Sequence, residues 1–140
     1  MRRILIADDQ QVIRTLIRGL LEAEKIWKVC AEASDGKQAI KLCESLSPDL
    51  AILDIHMPNM NGFDAIRFIS SHWPRISLLA LSTDESVHFA LAAEACGAHG
   101  FLSKALVTNF LPAAVDALLR DKRYLPDASP NRDCSFAGQS

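Results

Sequence analysis

A chain of 140 residues with 49% hydrophobic and 23% charged side chains has the composition of a single globular domain, which excludes a globally disordered protein. Its 15 lysine and arginine residues nearly balance 17 aspartate and glutamate residues without forming a basic block, so direct binding of nucleic acid is not expected. No apolar run reaches the roughly 18 residues of a membrane span. Asp8-Asp9 ends the first apolar run too early for a secretion signal. The four cysteines have no metal-ligand spacing, so we expect reduced thiols in a cytoplasmic protein.

Five short apolar runs alternate along the chain with segments of helical periodicity. The runs lack the polar–apolar alternation of a half-exposed strand, which predicts strands covered on both faces, as in a parallel sheet between helices. The predicted strands are Arg3–Ala7, Trp27–Ala33, Leu50–Leu53, Ile76–Leu81 and His99–Leu102.

The first helical segment carries apolar residues at spacings near 3.6, which predicts one stripe facing the core. This stripe consists of Val12, Ile13, Leu16, Ile17, Leu20 and Leu21. A second helix should open at Gly36, and a third, around Phe63–Ile69, should stop before Pro74. The fourth is expected from about Glu85 to Cys96, closed by a left-handed glycine at position 97.

The fifth helix is expected after the last strand. We predict Thr108 as its N-cap, which places Pro112 in the first turn, where backbone N–H groups lack partners in any case. Five βα units in about 120 residues imply a doubly wound sheet with right-handed crossovers. In such sheets, functional groups gather beyond the carboxyl ends of the strands.

Acidic residues follow two of these strands. Asp8-Asp9 ends the first, and Asp54 ends the third. If the two strands are neighbours, three carboxylates share one pocket, which requires raised pKa values or a bound cation. Oxygen ligands with few carboxylates suit Mg²⁺. The alternative is that one aspartate caps the next helix and Asp54 only starts a turn.

Two further strand ends carry polar groups that suit phosphoryl transfer. Ser82 follows the fourth run and Lys104 follows the fifth. An ammonium group balances the charge of a transferring phosphoryl group, and a hydroxyl donates a hydrogen bond to one of its oxygens. Two alternatives remain: Ser82 fits a capping box with Glu85, and Lys104 alone is typical of a solvated surface.

With these residues in place, the chain from Arg3 to about Leu125 resembles a response-regulator receiver domain of bacterial two-component signalling. The matching features are Asp8-Asp9, the segment Leu53-Asp54-Ile55-His56-Met57-Pro58 with Asn61-Gly62, Ser82, Phe101 and Lys104. The segment Ala95–Lys104 and the closing Arg123-Tyr124-Leu125 resemble the NarL/FixJ (LuxR-type) branch. The resemblance implies an α/β, flavodoxin-like (βα)5 fold, with helices on both faces of a five-stranded parallel sheet of order 2-1-3-4-5.

The resemblance also implies roles at the acidic cluster. Asp54 would accept a phosphoryl group from a phosphohistidine of a sensor histidine kinase. Asp9 would bind Mg²⁺ directly and Asp8 through water, with Asp54 and the backbone carbonyl of His56 as the remaining protein ligands. No enzymatic turnover is implied beyond self-phosphorylation and slow self-dephosphorylation.

The remaining roles concern the conformational switch. Lys104 would contact the phosphoryl group, Ser82 would move toward it, and Phe101 would turn inward into the space vacated. Binding surfaces elsewhere would then shift in population. The responding face would be roughly Glu85–Leu119, through which the chain could form a homodimer.

Several positions around the site depart from the usual family pattern. Ala105 replaces the proline that often follows the lysine, so we expect either a trans peptide bond or a strained cis bond there. His56, Thr83 and Asp84 are assigned as gatekeepers of the acyl phosphate, with Thr83 bulkier than the usual small residue. No second histidine lies at ligand spacing from His56, so a zinc site is not expected.

Three functions remain open. The chain could be a stand-alone receiver that acts by binding proteins or as a phosphate sink, or the receiver half of a transcription factor. The third is a Mg²⁺-dependent phosphohydrolase with an aspartate nucleophile, disfavoured because His56 stands where that family needs a second aspartate. Residues 1–125 are expected to form the receiver, and 126–140 a polar linker or tail too short for a DNA-binding module.

Overall fold

The computed structural model describes residues 1–84 and 86–125. Five strands alternate with five α-helices in this part of the chain, and a short 3₁₀ helix, Lys104–Leu106, precedes the last helix. The strands are β1 (Arg2–Ala7), β2 (Trp27–Ala33), β3 (Leu50–Asp54), β4 (Ser77–Ser82) and β5 (Gly100–Ser103). The helices are α1 (Gln11–Glu22), α2 (Gly36–Leu46), α3 (Gly62–His72), α4 (Val87–Cys96) and α5 (Val107–Leu119).

All strand pairs are parallel, and the sheet has the order β2-β1-β3-β4-β5, which confirms the predicted fold and strand order. The central strand β3 is buried along its whole length, as its uninterrupted apolar sequence requires. Helix α1 packs against α5, while α2, α3 and α4 pack side by side. The chain passes from β1 to β2 on one side of the sheet and then returns to place β3 on the other side of β1. The carboxyl ends of β1 and β3 therefore form the topological switch point of the sheet.

The predicted stripe of α1 is only partly correct. Ile17 and Leu21 are fully buried, but Val12 is 73% exposed and Leu16 42% exposed. Ile13 and Leu20 are partly buried against the core, so four of the six apolar residues pack inward and only Val12 and Leu16 do not.

The predicted N-cap of the fifth helix is wrong. Helix α5 begins at Val107, with no side-chain cap, so Thr108 lies inside the helix and Pro112 lies beyond the first turn. The helix begins early because the Ser103 hydroxyl accepts a hydrogen bond from the Ala105 N–H at 3.2 Å and caps the 3₁₀ helix, which leads directly into α5. The other predicted boundaries agree within two residues, and Gly97 is left-handed (φ 118°) as expected.

Two predictions concern parts of the chain that lie outside the described residues: the start of the responding face at Glu85, and the polar tail at 126–140. Within the described ranges, no helix is long and apolar enough to cross a membrane.

Candidate functional site

The carboxyl edge of the sheet brings the predicted acidic residues together. Ala7 of β1 pairs with Leu53 of β3, so Asp8 and Asp54 leave neighbouring strands side by side. Carboxylate oxygens of Asp8, Asp9 and Asp54 all lie within 4.8 Å of one another. Asp8 and Asp54 are buried, whereas Asp9 is exposed to solvent. The three form a group that could hold a metal ion.

The N–H, the carbonyl oxygen and one carboxylate oxygen of Asp8 each have a hydrogen-bond partner in the β1–α1 turn or nearby. Its N–H donates to the Ala33 carbonyl (3.0 Å), its Oδ1 accepts from the Gln10 N–H (2.8 Å), and its carbonyl accepts from Arg14 Nη1 (2.6 Å). The N-cap of α1 is Gln10, without a side-chain cap bond. Asp8 therefore shapes the turn and does not cap the helix, which removes the alternative interpretation of this residue.

Lys104 lies between the two buried carboxylates. Its Nζ is 2.8 Å from Asp8 Oδ2 and 3.0 Å from Asp54 Oδ2, and its side chain is only 11% exposed. Burial by itself lowers the pKa of Lys104, but the contacts with Asp8 and Asp54 outweigh it and raise that pKa above its ordinary value. The lysine is thus a charged member of the site and not a solvated surface residue. The chain has no cis peptide bond in its described part, so the Lys104–Ala105 bond is trans.

Asp54, the candidate nucleophile, is almost fully enclosed at this edge. It is 2% exposed, its Oδ2 accepts from Lys104, and its Oδ1 accepts from the His56 N–H at 3.1 Å. Burial raises the pKa of Asp54 above its ordinary value, and these two hydrogen bonds offset the effect only in part. A Cβ atom at Gly62 would lie 2.2 Å from the Asp54 carbonyl oxygen, so glycine is required where α3 begins beside the acceptor.

Ser82 is buried at the end of β4 and organises the loop that follows. Its Oγ accepts from the Asp84 N–H (2.9 Å), and Asp84 Oδ1 in turn accepts from the Ser86 N–H (2.7 Å). Ser86, whose Oγ accepts from the His88 N–H, is the N-cap of α4. The alternative in which Ser82 caps this helix is therefore wrong, because the N-cap lies four residues later.

The residues predicted to be gatekeepers follow the carboxyl ends of β3 and β4. His56, Thr83 and Asp84 are all exposed. The imidazole ring of His56 meets the ring of Phe89 edge-on, with 5.8 Å between centroids, and Phe89 stacks on Phe63 at 6.1 Å. Phe101, the predicted switch residue, is fully buried in β5.

Sequence reasoning missed the contact that holds the acidic turn. Arg14 belongs to none of the sequence motifs, yet its guanidinium group bonds to the Asp8 carbonyl and forms an ion pair with Glu32 at 2.9 Å. Arg18 also pairs with Glu32, at 2.7 Å. The polar residues of a helix do not indicate such a contact in the sequence, because the ion pair depends on where β2 places Glu32.

Comparison with known proteins gives the same picture over most of the chain. The family model of the response regulator receiver domain matches residues 4–116. The chain is 31% identical over 123 residues to the transcriptional regulatory protein DegU of Brevibacillus brevis, a match that covers 88% of this chain and 52% of DegU. A LuxR-family response regulator from Aurantimonas sp. SI85-9A1 superposes with a TM-score of 0.83 at 30% identity, covering 86% of each chain. The non-phosphorylated receiver domain of RcsB from Escherichia coli superposes with a TM-score of 0.82 at 26% identity, covering 90% of this chain and 98% of that one.

The fold and the site define a doubly wound α/β domain whose chemistry is concentrated in carboxylates at the switch point. With the family match, the chain belongs to the response regulator receiver domains of two-component signalling. Its homologues are response regulators of the NarL/LuxR type. The chain spans about half the length of the curated relatives it matches.

Proposed function

We propose that this chain is a phosphorylation-dependent switch in which Asp54 accepts a phosphoryl group from a phosphohistidine of a sensor histidine kinase. The switch would control a partner or an effector domain, in transcription regulation. The observation that carries the proposal is the buried Asp54 carboxylate, held by Lys104 next to the carboxylates of Asp8 and Asp9. Burying like charges together opposes folding, so this cluster of carboxylates is better explained by a function than by a contribution to stability.

The residues of the site fit a divalent cation. Asp8 Oδ2 is buried and, although it lies 2.8 Å from Lys104 Nζ, it has no aligned hydrogen-bond donor among the described residues. Three carboxylates against one lysine leave an excess of negative charge, and oxygen-only donors are those that Mg²⁺ prefers. Asp8, Asp9, Asp54 and the His56 carbonyl would hold the ion, which would supply charge neutralisation for the phosphoryl oxygens.

The chain's own groups account for the rest of the transfer. An Asp54 carboxylate oxygen forms a bond to phosphorus as the bond from phosphorus to the histidine nitrogen breaks, and the imidazole keeps that electron pair. Lys104 balances the charge of the phosphoryl group. Ser82 Oγ accepts from Asp84, so its own hydrogen is free to be donated to a phosphoryl oxygen after a small movement. Phe101 is already enclosed in the core. Its proposed movement therefore takes place within the core, into the space that Ser82 leaves.

The proposed response passes from Ser82 to α4. When the Ser82 hydroxyl moves, it leaves the Asp84 N–H that now bonds to it, and Asp84 in turn holds the N-cap Ser86. The face formed by α4, β5 and α5 would therefore change its population of conformations. We propose that homodimerisation or an effector contact uses this face.

The direct test of the proposed function is cation-dependent phosphorylation. We expect the full chain, incubated with a small acyl-phosphate donor and Mg²⁺, to gain one phosphoryl group and to shift on a phosphate-affinity gel. Addition of a chelator should remove the shift, because the clustered carboxylates then repel the incoming phosphoryl oxygens. Equal phosphorylation with and without divalent cations would contradict the proposed site, and so would the absence of any phosphorylation.

The gatekeeper assignment gives a second test. Thr83 is exposed next to Ser82, where its side chain would narrow the path of water to the acyl phosphate. The Thr83→Ala variant should therefore lose its phosphoryl group several-fold faster than the parent, measured as first-order decay after the donor is removed. Thr108→Ala, an exposed threonine on α5, is the matched control and should decay at the parent rate. A Thr83→Ala decay no faster than the parent's would refute the gatekeeper role.

A further inference from the structure

The turn between β2 and α2, residues 33–36, contacts both segments that carry the proposed cation ligands. On one side, the Ala33 carbonyl accepts a hydrogen bond from the Asp8 N–H at 3.0 Å. On the other, the Gly36 N–H donates to the Met60 carbonyl at 3.2 Å, in the loop between β3 and α3. This turn therefore bridges the Asp8-Asp9 segment and the loop that follows Asp54.

Asp35 makes the shortest of these bridging hydrogen bonds, with Asn59. It is 7% exposed, its Oδ1 accepts from the Gln38 N–H (2.8 Å) and its Oδ2 accepts from Asn59 Nδ2 (2.8 Å). The bond from the Gln38 N–H and then that from Asn59 lower the pKa of Asp35, so the carboxylate is ionised at neutral pH. Both oxygens are occupied, which makes this buried charge unsuited to be a ligand or nucleophile itself.

Asn59 occupies the tip of the β3–α3 loop in the left-handed conformation, with φ 67°. The base of the loop is closed by the bond from the Gly62 N–H to the Ile55 carbonyl at 2.8 Å. A Cβ atom at Gly36 would lie 2.4 Å from the Met60 oxygen, so the close approach of the β2–α2 turn to the loop depends on glycine there. The loop that contains His56 is thus fixed at its base by Gly62 and at its tip by Asp35 and Gly36.

We propose that the Asp35–Asn59 pair is a positioning pair for the divalent cation: it holds the loop that presents the His56 carbonyl in register with Asp8, Asp9 and Asp54. This inference rests on the proposed function, since it assumes that the acidic group binds Mg²⁺. Partners that orient metal ligands without touching the metal contribute roughly 10–100-fold to metal affinity. The pair acts through hydrogen bonds, so reversing donor and acceptor should preserve it.

The test is Mg²⁺ binding by isothermal titration calorimetry on the full chain. Asn59→Gly removes the bond to Asp35 without changing charge or straining the left-handed backbone, and it should raise the Mg²⁺ Kd about tenfold or more. Phosphorylation at saturating Mg²⁺ should still reach the parent level. Combining Asp35→Asn with Asn59→Asp keeps the net charge, the helix cap and one hydrogen bond between the two positions, and should restore the parent affinity.

Ser47→Gly is the matched control, because Ser47 is also polar and left-handed (φ 46°) but lies at the opposite end of the sheet, after α2. The exchange relieves a left-handed serine whose side chain makes no hydrogen bond within the described residues, so Ser47→Gly should be at least as stable as the parent and bind Mg²⁺ as the parent does. Three outcomes would each overturn the positioning role: parent-like Mg²⁺ affinity in Asn59→Gly, an equal loss of Mg²⁺ affinity in Ser47→Gly, or no recovery of Mg²⁺ affinity in the reversed pair. If the parent itself binds no Mg²⁺, the proposed function fails first and this inference falls with it.

Discussion

The Asp54→Asn variant should lose phosphorylation by a small acyl-phosphate donor completely, while it folds at least as stably as the parent. The carboxamide has nearly the shape of the carboxylate, but it lacks the anionic oxygen that forms the bond to phosphorus. Asp49→Asn is the matched control: it changes the same residue type just before β3, at the opposite end of the strand, and should be phosphorylated like the parent. Persistent labelling of Asp54→Asn, mapped to another residue, would falsify the assignment of the acceptor.

The stability of the same variant follows from the direction of the Asp54 pKa. Folding raises this pKa, so ionisation of Asp54 opposes folding: the penalty is absent below its unfolded pKa of about 4 and fully present above the folded pKa. Asparagine removes the penalty. In chelator at neutral pH, the free energy of unfolding of Asp54→Asn should therefore equal or exceed the parent's, and this gain should disappear as the pH falls below about 4. Urea unfolding at several pH values measures both, and a destabilised variant at neutral pH would contradict the argument.

The sequence could predict two kinds of feature: the strands, from their repeated apolar runs, and the polar residues that directly follow them. Apolar runs identified the five strands, although the edge strand β2 is only partly buried. The last residues of β1 and β3 placed Asp8 and Asp54 at one edge because neighbouring parallel strands end together. The strand order itself came from the family resemblance, since periodicity carries no information about which strands pair.

The parts that sequence could not predict depend on contacts between distant segments. Val12 and Leu16 continue the apolar pattern of α1 but remain exposed, because helical periodicity does not show how much of the helix its neighbours cover. The bonds from Arg14 to the Asp8 carbonyl and from Asn59 to Asp35 join segments whose spacing in the chain follows no helical or strand period. The early start of α5 depended on one hydroxyl, that of Ser103, outside the predicted helix.

The second large effect is expected at Lys104. In Lys104→Met the ammonium group that lies between Asp8 and Asp54 is lost, and two adjacent buried carboxylates remain without a countercharge. Breaking a buried ion pair in this way typically costs about 3–5 kcal/mol of stability. In the parent, the raised pKa of Lys104 means that its stabilising contribution is fully present below the unfolded lysine pKa of about 10.4 and is lost only as the pH rises through the folded value. The full cost should therefore appear at neutral pH.

Two recoveries distinguish this electrostatic cause from lost packing. Lowering the pH should reduce the deficit of Lys104→Met, because loss of Lys104 raises the pKa of Asp54 further and protonation then relieves the repulsion. Adding Asp54→Asn to Lys104→Met should recover most of the stability, since a single buried carboxylate then remains. Lys41→Met, at an exposed position of α2, should unfold like the parent throughout. A deficit that neither low pH nor the second substitution reduces would mean that the methylene chain of Lys104, and not its charge, stabilises this edge of the sheet.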